Sequence, residues 1–257
     1  MSSQEEKTSD SLVQTKRTKT EKELSLKKRD GYPLSLHVMV DIETCSTEPN
    51  ALIKQITAAV FTPNSNNFEE CEVESCTFNI NTLNEKGEIE GGKYDVSEST
   101  RKYWNDPERK DALERYLKSE KIPLKEALVG LNDFLAQYQI TEYWAKSPSF
   151  DFVILGNSYK EEGVKIPWHY SKLRDIRTLN AESDRKNKLM NEWDLKRVAS
   201  KKKIGDFEAH DPKVDCYFQI WDYYRFKECF RSKITADHKQ DTLGKGKTLT
   251  LTIKLDD

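Results

Sequence analysis

The run Leu36-His37-Val38-Met39-Val40-Asp41-Ile42-Glu43-Thr44 constrains this chain more than any other, because it reads as a strand yet holds two carboxylates. Side chains alternate between the faces of a strand, so Asp41 and Glu43 project from one face about 7 Å apart, in the row that also carries Met39. Burying two uncompensated carboxylates in such a row is costly. The strand therefore needs either a hard cation bound to both acids or an arginine paired with them, buried ion pairs being the main rival to a metal.

Two further acids suit the same site. Asp151 is bracketed by Phe150 and Phe152 at the start of a helical pattern, where the helix dipole favours an acid and the aromatic neighbours disfavour open solvent. Asp215 follows His210 by five residues, a spacing that is weak evidence alone. With a helix starting near Pro212, Asp215 lies one turn in and His210 sits on the preceding loop. Together Asp41, Glu43, Asp151 and Asp215 can supply oxygen ligands for two divalent cations, Mg2+ or Mn2+, about 4 Å apart, as in-line phosphoryl transfer requires. His210 then remains available as the general base.

The charges exclude some classes of function. Lys and Arg number 42 against 44 Asp and Glu, which argues against coating long nucleic acid through bulk charge, so any basic patch is local. The length of 257 residues fits one large domain or two small ones, and one domain with frayed ends is the expectation. Residues 1–30 are rich in Lys, Glu, Ser and Thr and are expected to form a disordered tail. The domain is expected over 31–233 and a C-terminal extension over 234–257. Within that extension, Thr248 to Leu255 alternates Thr with Leu or Ile, either as an edge strand or as an accident in a flexible tail. Five cysteines without a CxxC pair suit reduced thiols in a cytoplasmic compartment. No stretch approaches the roughly 20 apolar residues of a membrane span, and the polar start does not resemble an export signal, so a soluble protein is expected.

Elements follow from periodicity and caps. Leu36 to Ile42, Ile53 to Phe61 and Cys71 to Ile80 predict a three-stranded meander. Ser97 caps a short helix through Trp104, Pro107 opens another to Leu117, and Pro123 to Tyr138 has apolar residues at three- and four-residue intervals. Glu142 to Ala145 predicts a short strand, and Ser149 a cap for a helix that Gly163 ends. Asp211 and Pro212 begin a last helix, with Val214, Phe218, Trp221 and Phe226 available to pack. Strands first and mixed units afterwards suggest an α/β fold, a central sheet flanked by helices.

The quoted residues resemble the DEDDh 3'-5' exonucleases of the ribonuclease H-like superfamily. Asp41-Ile42-Glu43-Thr44 is similar to the family's first box, Phe150-Asp151 to the second, and Ala209-His210-Asp211-Pro212-Lys213-Val214-Asp215-Cys216 to the third. Trp144 before Ser149-Phe150-Asp151, Pro167-Trp168, Arg174-Asp175-Ile176-Arg177-Thr178 and Glu208-Ala209-His210-Asp211 resemble a subgroup of phage exonucleases and small mycobacterial-type 3'-5' exoribonucleases. The resemblance spans residues 36 to 231. It implies a ribonuclease H-like mixed sheet and stepwise release of nucleoside monophosphates from a free 3' end. It also implies Asp41, Glu43, Asp151 and Asp215 as ligands of two divalent cations, with His210 taking the proton from the attacking water.

Around that centre, Ser46 and Thr47 are candidate phosphate contacts or plain turn formers. Tyr103 and Trp104 occupy the place of the subgroup's paired aromatics and either stack on a terminal base or pack in the core. Lys201, Lys202 and Lys203 are candidate backbone-phosphate contacts or a solvated turn. The arginines around Asp175 are expected to form scaffold ion pairs. The expected partners are single-stranded 3' ends of DNA or RNA in a phage or microbial cytoplasm. The terminal extensions are candidate contacts for a homodimer or a replication partner. The rival reading is a binding module that keeps the fold without turnover.

Overall fold

The computed structural model describes residues 35–182 and 211–241 of the 257. Five strands form one sheet: β1 (Leu36–Thr44), β2 (Ile53–Phe61), β3 (Val73–Asn79), β4 (Ile140–Ala145) and β5 (Leu173–Asp175). Their spatial order is β3-β2-β1-β4-β5. The first three strands pair antiparallel, as the meander predicts, whereas β4 and β5 join β1 in parallel. The meander therefore puts β1 in the centre of a mixed sheet.

The helices among the described residues are α1 (Glu98–Trp104), α2 (Lys110–Lys118), α3 (Leu124–Leu135), α4 (Pro148–Glu161), α5 (Ile176–Glu182) and α6 (Pro212–Asp241). The even residues of β1, Leu36 to Ile42, pack with Leu128 and Leu131 of α3 and Phe152 and Leu155 of α4 in one core. Met39 on the odd row packs with Ile176 of α5 and Cys216, Ile220 and Tyr224 of α6 in a second core on the other face. Beyond Met39, the same odd row turns to Asp41 and Glu43.

Caps account for several boundaries. The Ser97 hydroxyl accepts the Thr100 N–H at the start of α1, and Asp211 Oδ1 accepts from the Lys213 N–H at 2.9 Å before Pro212 opens α6. The helix from Pro107 is shorter than expected, because 107–109 form a 3-10 turn and the α-helix starts at Lys110. The α4 cap is Ser147 rather than Ser149, and it makes no side-chain hydrogen bond. The packing face of α6 centres on Cys216, Ile220, Tyr223 and Tyr224, with Phe218, Trp221 and Phe226 only half-buried. This helix continues through residue 233 to Asp241. The expected 1–30 tail and the Thr248 to Leu255 segment lie outside the described residues.

The Arg174–Asp175–Arg177 cluster works differently from the expected ion pairs. Arg174 reaches Glu142 across β4 at 3.2 Å, while Asp175 accepts from the Arg177 N–H at 2.9 Å and the Thr178 hydroxyl at 3.0 Å, capping α5. An acid just before a helix gains more from the free amide donors of the first turn than from a solvated side chain.

Ser147 is strained. Its φ of 116° falls in the region that favours glycine, and it immediately precedes a proline. The twist turns the chain sharply from β4 into α4, and the Ser147 carbonyl accepts the N–H groups of Phe150 and Asp151. Ser147→Gly should relieve this strain and raise unfolding stability by about 1 kcal/mol, read from the denaturant midpoint. A loss of stability would show that the serine is not strained there.

Candidate active site

The acidic site forms where β1 outruns β4. Registered pairing between these strands ends at Met39 with Trp144, so among the described residues the edge of β1 from Val40 to Thr44 has no strand beside it on that side. The N-terminal turn of α4 fills the space. Asp151, fully buried in that turn, receives the N–H of Ile42 on its carboxylate, which ties α4 to β1. Asp41 and Glu43 project on the opposite face, toward α6, where Asp215 lies in the first turn.

Single carboxylate oxygens of Asp41, Glu43 and Asp215 all lie within 4.8 Å of one another. Asp151 stands outside this trio, but its charge acts on Asp41 and Glu43. All four carboxyls are pushed above the ordinary carboxylate range. For Asp41 the main cause is burial, followed by the charges of Asp215, Asp151 and Glu43. Burial and then Asp215 push Glu43 up to about 8, against the pull of Lys54. Burial raises Asp151 to about 7, opposed by its own N–H and that of Ile42, and Asp215 to about 6, opposed by Lys146. Among the described residues, no lysine, arginine or histidine forms an ion pair with any of the four. An all-oxygen donor set with crowded, uncompensated charge fits a hard divalent cation.

Two supporting residues were not expected from the sequence. Gln219, one turn after Asp215, donates its side-chain N–H to Asp41 Oδ1 at 2.8 Å. Lys54 is fully buried, and its ammonium lies 3.4 Å from the centre of the Trp104 ring and 4.8 Å from that of Tyr116. Burial lowers the Lys54 pKa to about 8. Lys54 stands opposite a register shift between Glu43 and Thr44, and Trp104 donates its indole N–H to the Thr44 carbonyl at 2.9 Å. A lysine in the largely apolar run of β2 was the available signal.

A cavity of about 340 Å³ opens beside Glu43 and is lined by Thr44, Ser46, Thr47, Tyr103, Trp104 and Phe150, among others. Ser46 and Thr47 thus border the cavity, but the Ser46 hydroxyl is already committed, donating to Asp95 of a distant loop and accepting the Glu48 N–H. The aromatic pair divides: Trp104 is buried wall, and Tyr103 is 40% exposed with the Arg109 guanidinium over its ring. Cys216 is a buried thiol facing the Met39 and Thr57 carbonyls. His210, Lys201, Lys202 and Lys203 lie outside the described residues, although His210 directly precedes the Asp211 cap in sequence.

The chain folds as a mixed five-stranded sheet flanked by helices, with acids at the end of its central strand. The chain belongs to the family of 3'-5' exoribonuclease Rv2179c-like domains, which matches residues 36–210. Asp215 lies just beyond that span. Similar solved structures include the zinc-bound form of the E. coli exonuclease I complex with single-stranded DNA, at 15% identity and a TM-score of 0.50, covering 81% of this chain and 45% of that one. Cell-death related nuclease 4 is 13% identical with a TM-score of 0.49, covering 76% of this chain and 64% of that one. The nuclease domain of 3'hExo, a DEDDh family member bound to rAMP, is 11% identical with a TM-score of 0.45, covering 78% and 94%. At these identities the likeness is one of fold, and the chain spans less than half of exonuclease I. No curated protein matches the chain. Among the described residues, no helix is long and apolar enough to cross a membrane.

The raised carboxyls set a pH dependence. In the unfolded chain these acids ionise near pH 4, whereas in the fold Asp215, Asp151 and Glu43 hold protons to about pH 6, 7 and 8, so stability without metal falls as pH rises through that window. His37, whose pKa burial lowers to about 4, acts in the opposite sense and only below about pH 6.5. The melting temperature of metal-free protein should therefore drop between pH 6.5 and 8.5, and Mn2+ should restore more of it at the higher pH. Asp41→Asn should flatten the drop and remove the Mn2+ gain. A native melting temperature that rises with pH would contradict this electrostatic picture.

Proposed function

We propose that the chain is a metal-dependent 3'-5' exonuclease that hydrolyses the terminal phosphodiester of single-stranded nucleic acid, RNA foremost, and releases nucleoside 5'-monophosphates. The observation that carries this reading is the close-set trio Asp41, Glu43 and Asp215 beside a nucleotide-sized cavity, in a member of an exoribonuclease family. RNA takes first place because the family is described as exoribonuclease, and DNA remains a second substrate because the E. coli exonuclease I complex holds single-stranded DNA.

In this proposal Asp41, Glu43, Asp151 and Asp215 hold two divalent cations, Mg2+ or Mn2+. When bound, these ions stabilise negative charge on the attacking and leaving oxygens. The residues of the chain do the rest. The cavity receives the terminal nucleotide, its 340 Å³ being within the roughly 300–1,000 Å³ of small-ligand sites. Tyr103, half-exposed at the cavity, stacks on the terminal base, while Trp104 keeps the wall and the end of β1 in place. Thr47 and Lys201 to Lys203 contact phosphates. His210 takes a proton from the attacking water, a task that needs a pKa near neutrality.

Digestion of 5'-labelled single-stranded RNA and DNA oligonucleotides with Mg2+, Mn2+ or EDTA tests the proposal. The expected outcome is a descending ladder from the 3' end that is lost with EDTA and with Asp41→Ala. His210→Ala should lower kcat by about 10²- to 10⁴-fold with little change in KM. Internal cuts, or binding without cleavage in every condition, would sink the proposal.

The aromatic pair supplies a second check. Tyr103→Ala should raise KM several-fold and leave the melting temperature almost unchanged, as loss of one stacking surface implies. Trp104→Ala should cost about 3–5 kcal/mol of stability, as truncation of a buried aromatic does. Equal effects of both substitutions on stability would remove Tyr103 from the substrate side.

A further inference from the structure

Gln219 is buried on α6, and its two polar atoms have unequal fates. Nε2 donates to Asp41 Oδ1 at 2.8 Å, while Oε1 is buried without a hydrogen-bond partner among the described residues. Its neighbours Cys216, Ile220 and Tyr223 are core residues, so a leucine or methionine would fill this position without an unpaired Oε1, at the cost of the donor to Asp41 Oδ1. An amide here makes the packing of α6 no better. Its one evident return is the bond to Asp41.

That bond has a defined geometry. Nε2 faces Asp41 Oδ1, and the reverse orientation of the amide would set Oε1 against that accepting oxygen. Occupying Oδ1 from the α6 side restricts rotation of the carboxylate. Gln219 lies four residues, one helical turn, after Asp215. One stretch of helix thus brings both a member of the acidic trio and a group that aims another member.

We propose that Gln219 is a positioning residue of the acidic site, fixing the Asp41 carboxylate so that Asp41, Glu43 and Asp215 can share a divalent cation. The inference rests on the metal-binding reading given under Proposed function. Partners one shell out from a metal typically change its affinity by about ten- to a hundred-fold when removed. Gln219 belongs to that class, and its stranded Oε1 marks it as retained for the site rather than for the core.

The test is Mn2+ binding to the full chain, followed by electron paramagnetic resonance of free Mn2+, for the native protein, Gln219→Leu, Gln219→Met and Asp41→Asn, with metal-free melting temperatures measured in parallel. The expected result is binding by the native chain, loss with Asp41→Asn, and affinity lowered roughly ten- to a hundred-fold in both Gln219 variants. Their metal-free melting temperatures should stay close to the native value, because removal of the unpaired Oε1 offsets loss of the donor to Asp41. Native-like Mn2+ affinity in both variants would overturn the positioning role while leaving the metal site standing. A metal-free melting temperature lowered in both variants in step with affinity would assign Gln219 to packing and also overturn it. Failure of the native chain to bind Mn2+ would overturn the metal-site reading itself, and this inference with it.

Discussion

Like-charge crowding at the end of β1 is the constraint around which the structure is arranged. The pleat holds Asp41 and Glu43 in one row, and two helix N-termini bring Asp215 and Asp151 to the same place. Helix starts favour acids, because their free N–H groups and dipoles point at them. The repulsion that remains is opposed by packing. Cys216 and Ile220 seat α6 on one face of the sheet, and Phe152 and Leu155 seat α4 on the other. Each acid is thus anchored by a core that would be disrupted if the acid moved away. The metal-free protein spends part of its packing energy on keeping these charges together, and a cation would return it.

The departures from regular sheet geometry lie close to that point. β4 stops pairing with β1 at Met39, which leaves the Ile42 N–H for the Asp151 carboxylate. Ser147 bears the backbone strain of the turn that starts α4 early enough for this contact. On the other side, the register shift at Glu43 and Thr44 faces Lys54, whose ammonium is capped by Trp104, and Trp104 in turn holds the Thr44 carbonyl. Lys54 is a nearby positive group that draws the Glu43 pKa down. Strain, a bulge and a buried cation are all costs, and they collect where the strand must present acids instead of apolar side chains.

Features with a local cause were legible in the sequence. The period of two in β1, the apolar run of β2, the three-four spacing of α3, and the caps at Ser97 and Asp211 follow from interactions between residues close in the chain. The acids of the site were readable because they break an apolar pattern. Features whose cause is tertiary were not. Nothing local marks Gln219 as the partner of Asp41, 178 residues away. The three-residue β5 is too short to have a period, and it exists because Leu173 to Asp175 find an open edge on β4. The Ser46 hydroxyl looked free for a ligand, but its partner Asp95 comes from a loop 49 residues on. On α6, aromatic residues occur all round the helix, so spacing could not select the face that packs.

The last helix makes site assembly inseparable from folding. Asp215, Cys216, Gln219 and Ile220 occupy two successive turns of α6, and the four alternate between the acidic site and the second core. Docking α6 against Met39 and Ala59 therefore delivers a carboxylate and an orienting amide in the same step. The rest of the acid set is already fixed by β1 and α4, so the site is completed only when the C-terminal helix closes the sheet face. Any cation that bridges Asp215 to Asp41 and Glu43 would also hold α6 to β1, and by linkage its binding energy adds to the stability of the fold. Conversely, a substitution that loosens the α6 core weakens the site without touching an acid. Packing and chemistry share one helix, and neither can be tuned alone.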